Sequence, residues 1–142
     1  EIENKLRSIV AENLQDYFGD AWLVKGLPKN IYTKAKKLAD DKTYDLIVNN
    51  NEEEEVDIWD FVPLADIKPI VLNGKNWSTF FEEMLVRPEE VKIAGGKDAK
   101  TEWILRLSAI KNKLLKDSYS VPVDEYSYVK SIHEWIMGLL IL

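Results

Sequence analysis

The chain has no cysteine, so disulfides and thiolate metal sites are both excluded. It has a single histidine, His133, with no HExxH or comparable spacing around it, which leaves too few nitrogen donors for a metal site. No apolar run approaches the ~18 residues needed to cross a bilayer, and nothing resembles a signal peptide. The expectation is therefore a cytoplasmic protein with no membrane partner. Positive charge is in deficit: 25 acidic residues against 19 basic ones give a formal charge of −6, which argues against nucleic-acid binding by the surface as a whole but leaves room for a local basic patch. Glycine-rich phosphate loops are missing too. Ala94-Gly95-Gly96-Lys97 lacks the Walker spacing and follows no convincing strand, so it reads as a loop turn. No internal repeat and no clear strand is present. No cofactor is expected.

What remains is helical. The 142 residues suit one domain, 1–142, with a real core, and five tryptophans suggest dense packing. Ile2, Leu6, Ile9, Val10, Leu14, Tyr17 and Phe18 mark a first amphipathic helix, with Gly19 as its stop. Trp22, Leu23 and Leu27 are placed to pack beneath the turn that follows. Pro28 opens a second helix carrying Ile31, Ala35 and Leu38, whose exposed face holds Lys29, Lys34, Lys36 and Lys37 and reads first as a solvated lysine face. From Asp40 to Glu55 the like-charged, asparagine-rich composition predicts a mobile loop, with at most a brief helical turn around Tyr44, Leu46, Ile47 and Val48.

Ile58, Trp59, Phe61 and Val62 then rejoin the core, and Pro63 begins a short helix through Leu64, Ile67, Ile70 and Val71 that Pro69 kinks or ends. Asn73-Gly74 is a turn, and Trp77, Phe80, Phe81, Met84 and Leu85 form the apolar face of another helix. Arg87 to Asp98 reads as a loop. Trp103 to Lys116 is the most regular helix: Trp103, Leu107, Ile110 and Leu114 fall on one stripe, while the other face carries Arg106, Lys111, Lys113 and Lys116 and no carboxylate. After the polar turn Asp117–Ser120, a last helix places Tyr126, Val129, His133, Ile136 and Leu140 on one face. Tyr128, Ile132, Trp135 and Leu139 take the adjacent face. Being apolar over more than half its circumference, it is expected to be central or at an interface. The fold class is all-α, a bundle of about five to seven helices. Both ends read as cuts through a longer protein, making this a C-terminal piece that contacts other domains of its parent.

The last two helices resemble the C-terminal half of a HEPN domain, an α-helical bundle of ribonuclease toxins, RNA-surveillance endoribonucleases and prokaryotic defence proteins. That family's pattern is an Arg, usually followed by Asn, with a His about five residues on, near the end of the penultimate helix. Here Lys111-Asn112 stands where Arg-Asn would be and Lys116 where the His would be. Upstream, Tyr17–Trp22 and Ile58–Phe61 resemble segments of a HEPN subgroup that ends multidomain proteins. The resemblance implies a helical bundle that pairs as a homodimer with its motif helices facing each other.

The altered motif bears on chemistry. Metal-independent RNA cleavage needs a base for the 2′-hydroxyl and donors for charge developing on phosphorus. Lysine gives one compact charge where arginine gives a planar fork, and it accepts a proton near neutrality only if burial depresses it by about three units. The expected function is thus a non-catalytic module for dimerisation or partner contact, with residual RNA or nucleotide phosphate binding through Arg106, Lys111, Lys113 and Lys116. The alternative is a metal-independent endoribonuclease with an altered site of Lys111, Asn112 and His133. His133 itself reads more simply as a hydrogen-bonded structural histidine.

Overall fold

The computed structural model of the chain describes residues 1–50, 54–91, 95–116 and 118–139. Among them there is no strand, and seven α-helices form one bundle. Helix α1 (Ile2–Phe18) buries Leu6, Ile9, Val10 and Leu14 completely. Their spacing of three and four residues makes one continuous apolar stripe. Gly19, at φ 66°, takes the left-handed conformation that stops the helix, and its N–H returns to the Gln15 carbonyl. A single 3₁₀ turn leads into the short α2 (Trp22–Gly26), which folds back on α1. Gly26 permits that approach, because a Cβ there would stand 3.1 Å from Leu14 Cδ1.

Helix α3 (Lys29–Asn50) starts directly after Pro28 and buries Ile31, Ala35, Ala39 and Leu46. Its length corrects the composition-based expectation for Asp40 to Glu55. The helix runs unbroken to Asn50, residues 51–53 lie outside the described part, and Glu54 to Asp57 has no regular structure. The physical reason is local. Lys36 and Lys37 pair with Asp40 and Asp41 one turn on, at 2.7 and 3.2 Å, and the Asn49 amide donates to Asp45 Oδ1 at 2.6 Å. Leu46 adds an apolar anchor to the bundle. The Lys36 and Lys37 pairs also show why that lysine face carries less free charge than its sequence suggests.

A 3₁₀ turn at Ile58–Phe61, capped by Asp57 Oδ1 accepting from the Trp59 N–H at 3.0 Å, packs against α3. Arg7 of α1 fastens this turn. Its guanidinium donates to the carbonyls of Trp59 and Val62 and lies 5.4 Å from the centre of the Trp59 ring. Helix α4 (Leu64–Leu72) follows Pro63 as expected and contains Pro69 without ending there. It is enclosed on several sides: Leu64, Ile67, Ile70 and Val71 are buried, and so is Lys68. Burial works to lower the Lys68 ammonium, but Glu102 Oε2 at 2.7 Å and the Asp98 carboxylate at 3.1 Å outweigh it and hold the ammonium above its ordinary value; it also donates to the Asp98 carbonyl at 3.0 Å.

The expected helix from Trp77 to Leu85 is instead a π-helical turn, Trp77–Phe81, closed by Glu82 N–H donating to the Trp77 carbonyl at 2.8 Å, with turns after it. Trp77, Phe81 and Leu85, four residues apart, all face inward as that spacing predicts. The loop from Arg87 contains a 3₁₀ turn at Pro88–Glu90, and α5 (Lys97–Lys100) already begins inside its expected span; Ala94 lies outside the described residues. Helix α6 (Glu102–Leu114) packs on α4, and α7 (Val123–Met137) on α1. Trp103 locks this side: its Nε1 donates to the Leu85 carbonyl at 3.1 Å and its ring meets Trp135 edge-on at 5.1 Å.

Asn76 is the polar knot of the fold. Buried between α2 and α4, its Nδ2 donates to the Gly26 carbonyl at 2.8 Å and the Ile70 carbonyl at 2.9 Å. Asn76→Ala removes one donor from each carbonyl, leaving Gly26 with the Asn73 side-chain amide and Ile70 with the Asn73 N–H, and should lower the unfolding free energy by about 1 kcal/mol. Urea denaturation with an unchanged m-value checks this; a change below a few tenths of a kcal/mol would show that water replaces the amide.

Candidate functional site

The last two helices make the site through what they leave uncovered. Helix α7 encloses only Ile132 and Ile136, while Tyr128, Val129 and Trp135 are half-buried and Tyr126 is exposed. Of the two expectations for the last helix, central or at an interface, the central one is not met: the helix has one inward face and one open apolar face; Leu140 lies outside the described residues. Helix α6 departs in a similar way at its end. Trp103, Leu107 and Ile110 of its stripe are buried as expected, but Leu114 is exposed.

Between the two open faces lies an apolar groove of about 520 Å³. Leu107, Ile110 and Leu114 line one side, Tyr126, Val129 and His133 the other, and Ile2 and Leu64 reach it from α1 and α4. The groove continues in sequence into an apolar tip: Leu114, Leu115, Val121, Val123 and Tyr126 are all exposed, Leu115 at 74% and Val123 at 82%. Five large apolar side chains open to water within thirteen residues exceed the scattered singletons of an ordinary surface.

The rim is charged and mostly paired, with Lys130 making no ion pair among the described residues. Lys111 Nζ lies 2.6 Å from Glu3 Oε1, and Arg7 Nε holds Oε2 of the same carboxylate at 2.9 Å. Burial acts to raise Glu3, but these hydrogen bonds from Lys111 and Arg7 prevail and hold it below the usual carboxylate range. His133 Nε2 lies 2.8 Å from Glu1 Oε2, a contact that lowers the Glu1 carboxyl. Lys113 pairs with Glu125 at 2.9 Å, and that carboxylate also accepts from the Tyr119 hydroxyl. The Tyr119 and Lys113 hydrogen bonds both depress Glu125, and the carboxylate in turn raises Lys113. Arg106 stacks 3.7 Å from the centre of the Tyr128 ring.

The sequence candidates are therefore divided. Lys111 and His133 border one groove, but each is engaged by a carboxylate from α1 or the residue before it. Asn112 does not line that groove; it lines a second depression with Lys34, Leu38 and Ser108, which Lys111 borders as well, so Lys111 meets His133 at one depression and Asn112 at the other. Lys116 is exposed beyond the end of α6 and borders neither. Arg106 and Lys113 both act on the Glu125 carboxylate, whereas Lys111 is held by Glu3. Among the described residues no three carboxylates or histidines stand close enough for a metal.

Sequence reading missed Arg87. It is buried against α7, donating to Ser131 Oγ at 3.2 Å and Glu90 Oε1 at 3.3 Å, with its guanidinium carbon 5.1 Å from the centre of the Tyr128 ring. Arg87 Nε and Glu90 Oε2 have no hydrogen-bond partner, and burial pushes the Glu90 carboxyl upward. The signal available in the sequence was only Arg87-Pro88 followed by two glutamates.

The Glu3 contacts have a pH signature. A carboxyl depressed in the fold contributes stability above its unfolded value and loses it as pH falls through the folded value. Glu3→Gln should therefore cost about 1 kcal/mol at neutral pH, with the difference from wild type closing in acid, below the usual carboxylate range. Urea melts across that range test it; a difference that persists at full size below pH 2 would assign the effect to packing instead.

Comparison of the chain with protein-family models, with curated proteins and with solved structures finds no match in any of the three.

Proposed function

We propose that this domain is a non-catalytic helical module of the HEPN kind, acting in the cytoplasm by contact through the α6–α7 face. Its partner in this reading is a second copy of itself or another domain of its own protein. The observation that carries the proposal is the apolar groove and its exposed tip, Leu114, Leu115, Val121, Val123 and Tyr126. Covering these residues removes apolar area from water at about 25 cal/mol per Å², and the groove offers a concave seat for an inserted side chain. The paired rim supports the non-catalytic half. Lys111 and His133 are held by Glu3 and Glu1, and Asn112 shares a depression with Lys111 but not with His133. Weak phosphate binding at Lys116 or Arg106 is compatible with this arrangement and secondary to it.

The ribonuclease alternative keeps one favourable observation, that Lys111 and His133 border a common groove. It requires both ion pairs to open on RNA binding. The two readings separate in solution. Sedimentation at micromolar concentration is expected to give a dimer that Leu114→Ser with Leu115→Ser and Val123→Ser weakens at least about tenfold. A fluorogenic single-stranded RNA is expected to remain intact. A monomer at all accessible concentrations would remove the self-pairing form of the proposal, and RNA cleavage abolished by His133→Ala would replace it with the nuclease.

A further inference from the structure

A smaller cavity, of about 260 Å³, lies where α1, α2 and the turn after α4 meet. It shares no residue with the α6–α7 groove. One wall is aromatic: Tyr17 meets Phe18 edge-on at 4.9 Å and Phe80 at 5.2 Å, and Tyr17 is itself 65% exposed. An exposed ring at the border of a cavity offers a neighbour to one more ring. The opposite lining carries positive charge and no negative charge. Lys25 and Lys75 border the cavity, neither makes an ion pair among the described residues, and no carboxylate lines it.

Two further observations define the ligand. The first is an unused acceptor. Asn76 is 4% exposed and its Nδ2 is committed to the Gly26 and Ile70 carbonyls, yet its Oδ1 accepts no hydrogen bond among the described residues. Asn73, whose Nδ2 also donates to Gly26, has the same unused Oδ1. Buried amides ordinarily satisfy both ends, so this side of the cavity has a place for an N–H donor. The second is the helix end beside it. Lys25 stands in the last turn of α2, where a cation can serve the final carbonyls, but at Gly26 that task falls to Asn73 and Asn76. The Lys25 ammonium has no hydrogen-bond partner among the described residues and borders the cavity.

A ring, an anion and an N–H donor within the span of one residue are the chemistry of a peptide chain that ends in an aromatic residue. A free aromatic amino acid fits less well, because its ammonium would stand against both lysines. The volume suits one residue rather than a larger organic ligand.

We propose that this cavity binds the C-terminal aromatic residue of a partner protein. The ring lies against Tyr17 and Phe80, the terminal carboxylate meets Lys25 and Lys75, and the peptide N–H donates to an Oδ1 of Asn73 or Asn76. This goes beyond the α6–α7 reading and does not depend on it.

The test uses the whole chain and a short serine–glycine peptide ending in phenylalanine, labelled at its N-terminus and followed by fluorescence anisotropy. Amidation of the terminal carboxylate should weaken binding about tenfold or more, and so should a terminal alanine in place of phenylalanine. Tyr17→Ser should weaken it about fivefold. Lys25→Gln with Lys75→Gln should weaken it about tenfold and flatten its salt dependence, with the circular dichroism spectrum unchanged because both side chains are exposed. Lys29→Gln with Lys34→Gln removes the same charge from the exposed side of α3 and should leave binding as in wild type. N-acetylphenylalanine should compete, and phenylalanine itself far less. Absence of binding at millimolar peptide, equal binding of the amidated or alanine-ended peptide, or equal affinity of wild type and the Lys25/Lys75 variant overturns the proposal. An equal loss in the Lys29/Lys34 variant would assign the effect to net charge and overturn it as well. Competition by phenylalanine as strong as by N-acetylphenylalanine would assign the cavity to a free amino acid and overturn the assignment to a chain end.

Discussion

Everything in this bundle is fitted to the closed face of α1. Leu6, Ile9, Val10 and Leu14 reach zero exposure because other elements meet them from several directions: α2 folding back over Gly26, α4 beneath, α7 alongside. The same helix sends Arg7 outward to hold the Trp59–Val62 turn and Glu3 to hold Lys111 on α6. Apolar and polar constraints thus radiate from one element. A small all-helical domain needs such a shaft, because helices make their own hydrogen bonds and only side-chain packing fixes how they sit together.

Polar groups inside the fold are few, and each sits where two elements would otherwise slide. Asn76 ties the end of α2 to α4, and Lys68 ties α4 to the α5–α6 junction. Both satisfy backbone or carboxylate oxygens that the helix termini leave over. Arg87 is the exception: its Nε and the Glu90 Oε2 stay without hydrogen-bond partners in an otherwise satisfied interior. Arg87 still holds that corner to α7, through Ser131 Oγ and the Tyr128 ring.

The sequence displayed the helices whose order comes from a regular apolar stripe, namely α1, α4 and α6, and it displayed the all-α class. It concealed the second half of α3, because composition there reads as disorder while the stabilising pairs, Lys36 with Asp40 and Lys37 with Asp41, are visible only as spacing. The excess apolar circumference of α7 was legible; which part of it would stay open was not. The engagement of Lys111 by Glu3 and of His133 by Glu1 spans 108 and 132 residues, and no local pattern announces contacts of that separation. The candidate site was therefore half readable. Its residues were named, but the carboxylates that occupy them came from the far end of the chain.

The concentration of charge in residues 40–57, eight carboxylates against one base, Lys42, has a consequence for how the molecule moves. A body with −7 gathered in one stretch and a near-neutral remainder has a permanent electric dipole moment. In the field of any charged surface it experiences a torque before it experiences contact, and within a Debye length of about 8 Å it is already turned. Its collisions are therefore not isotropic.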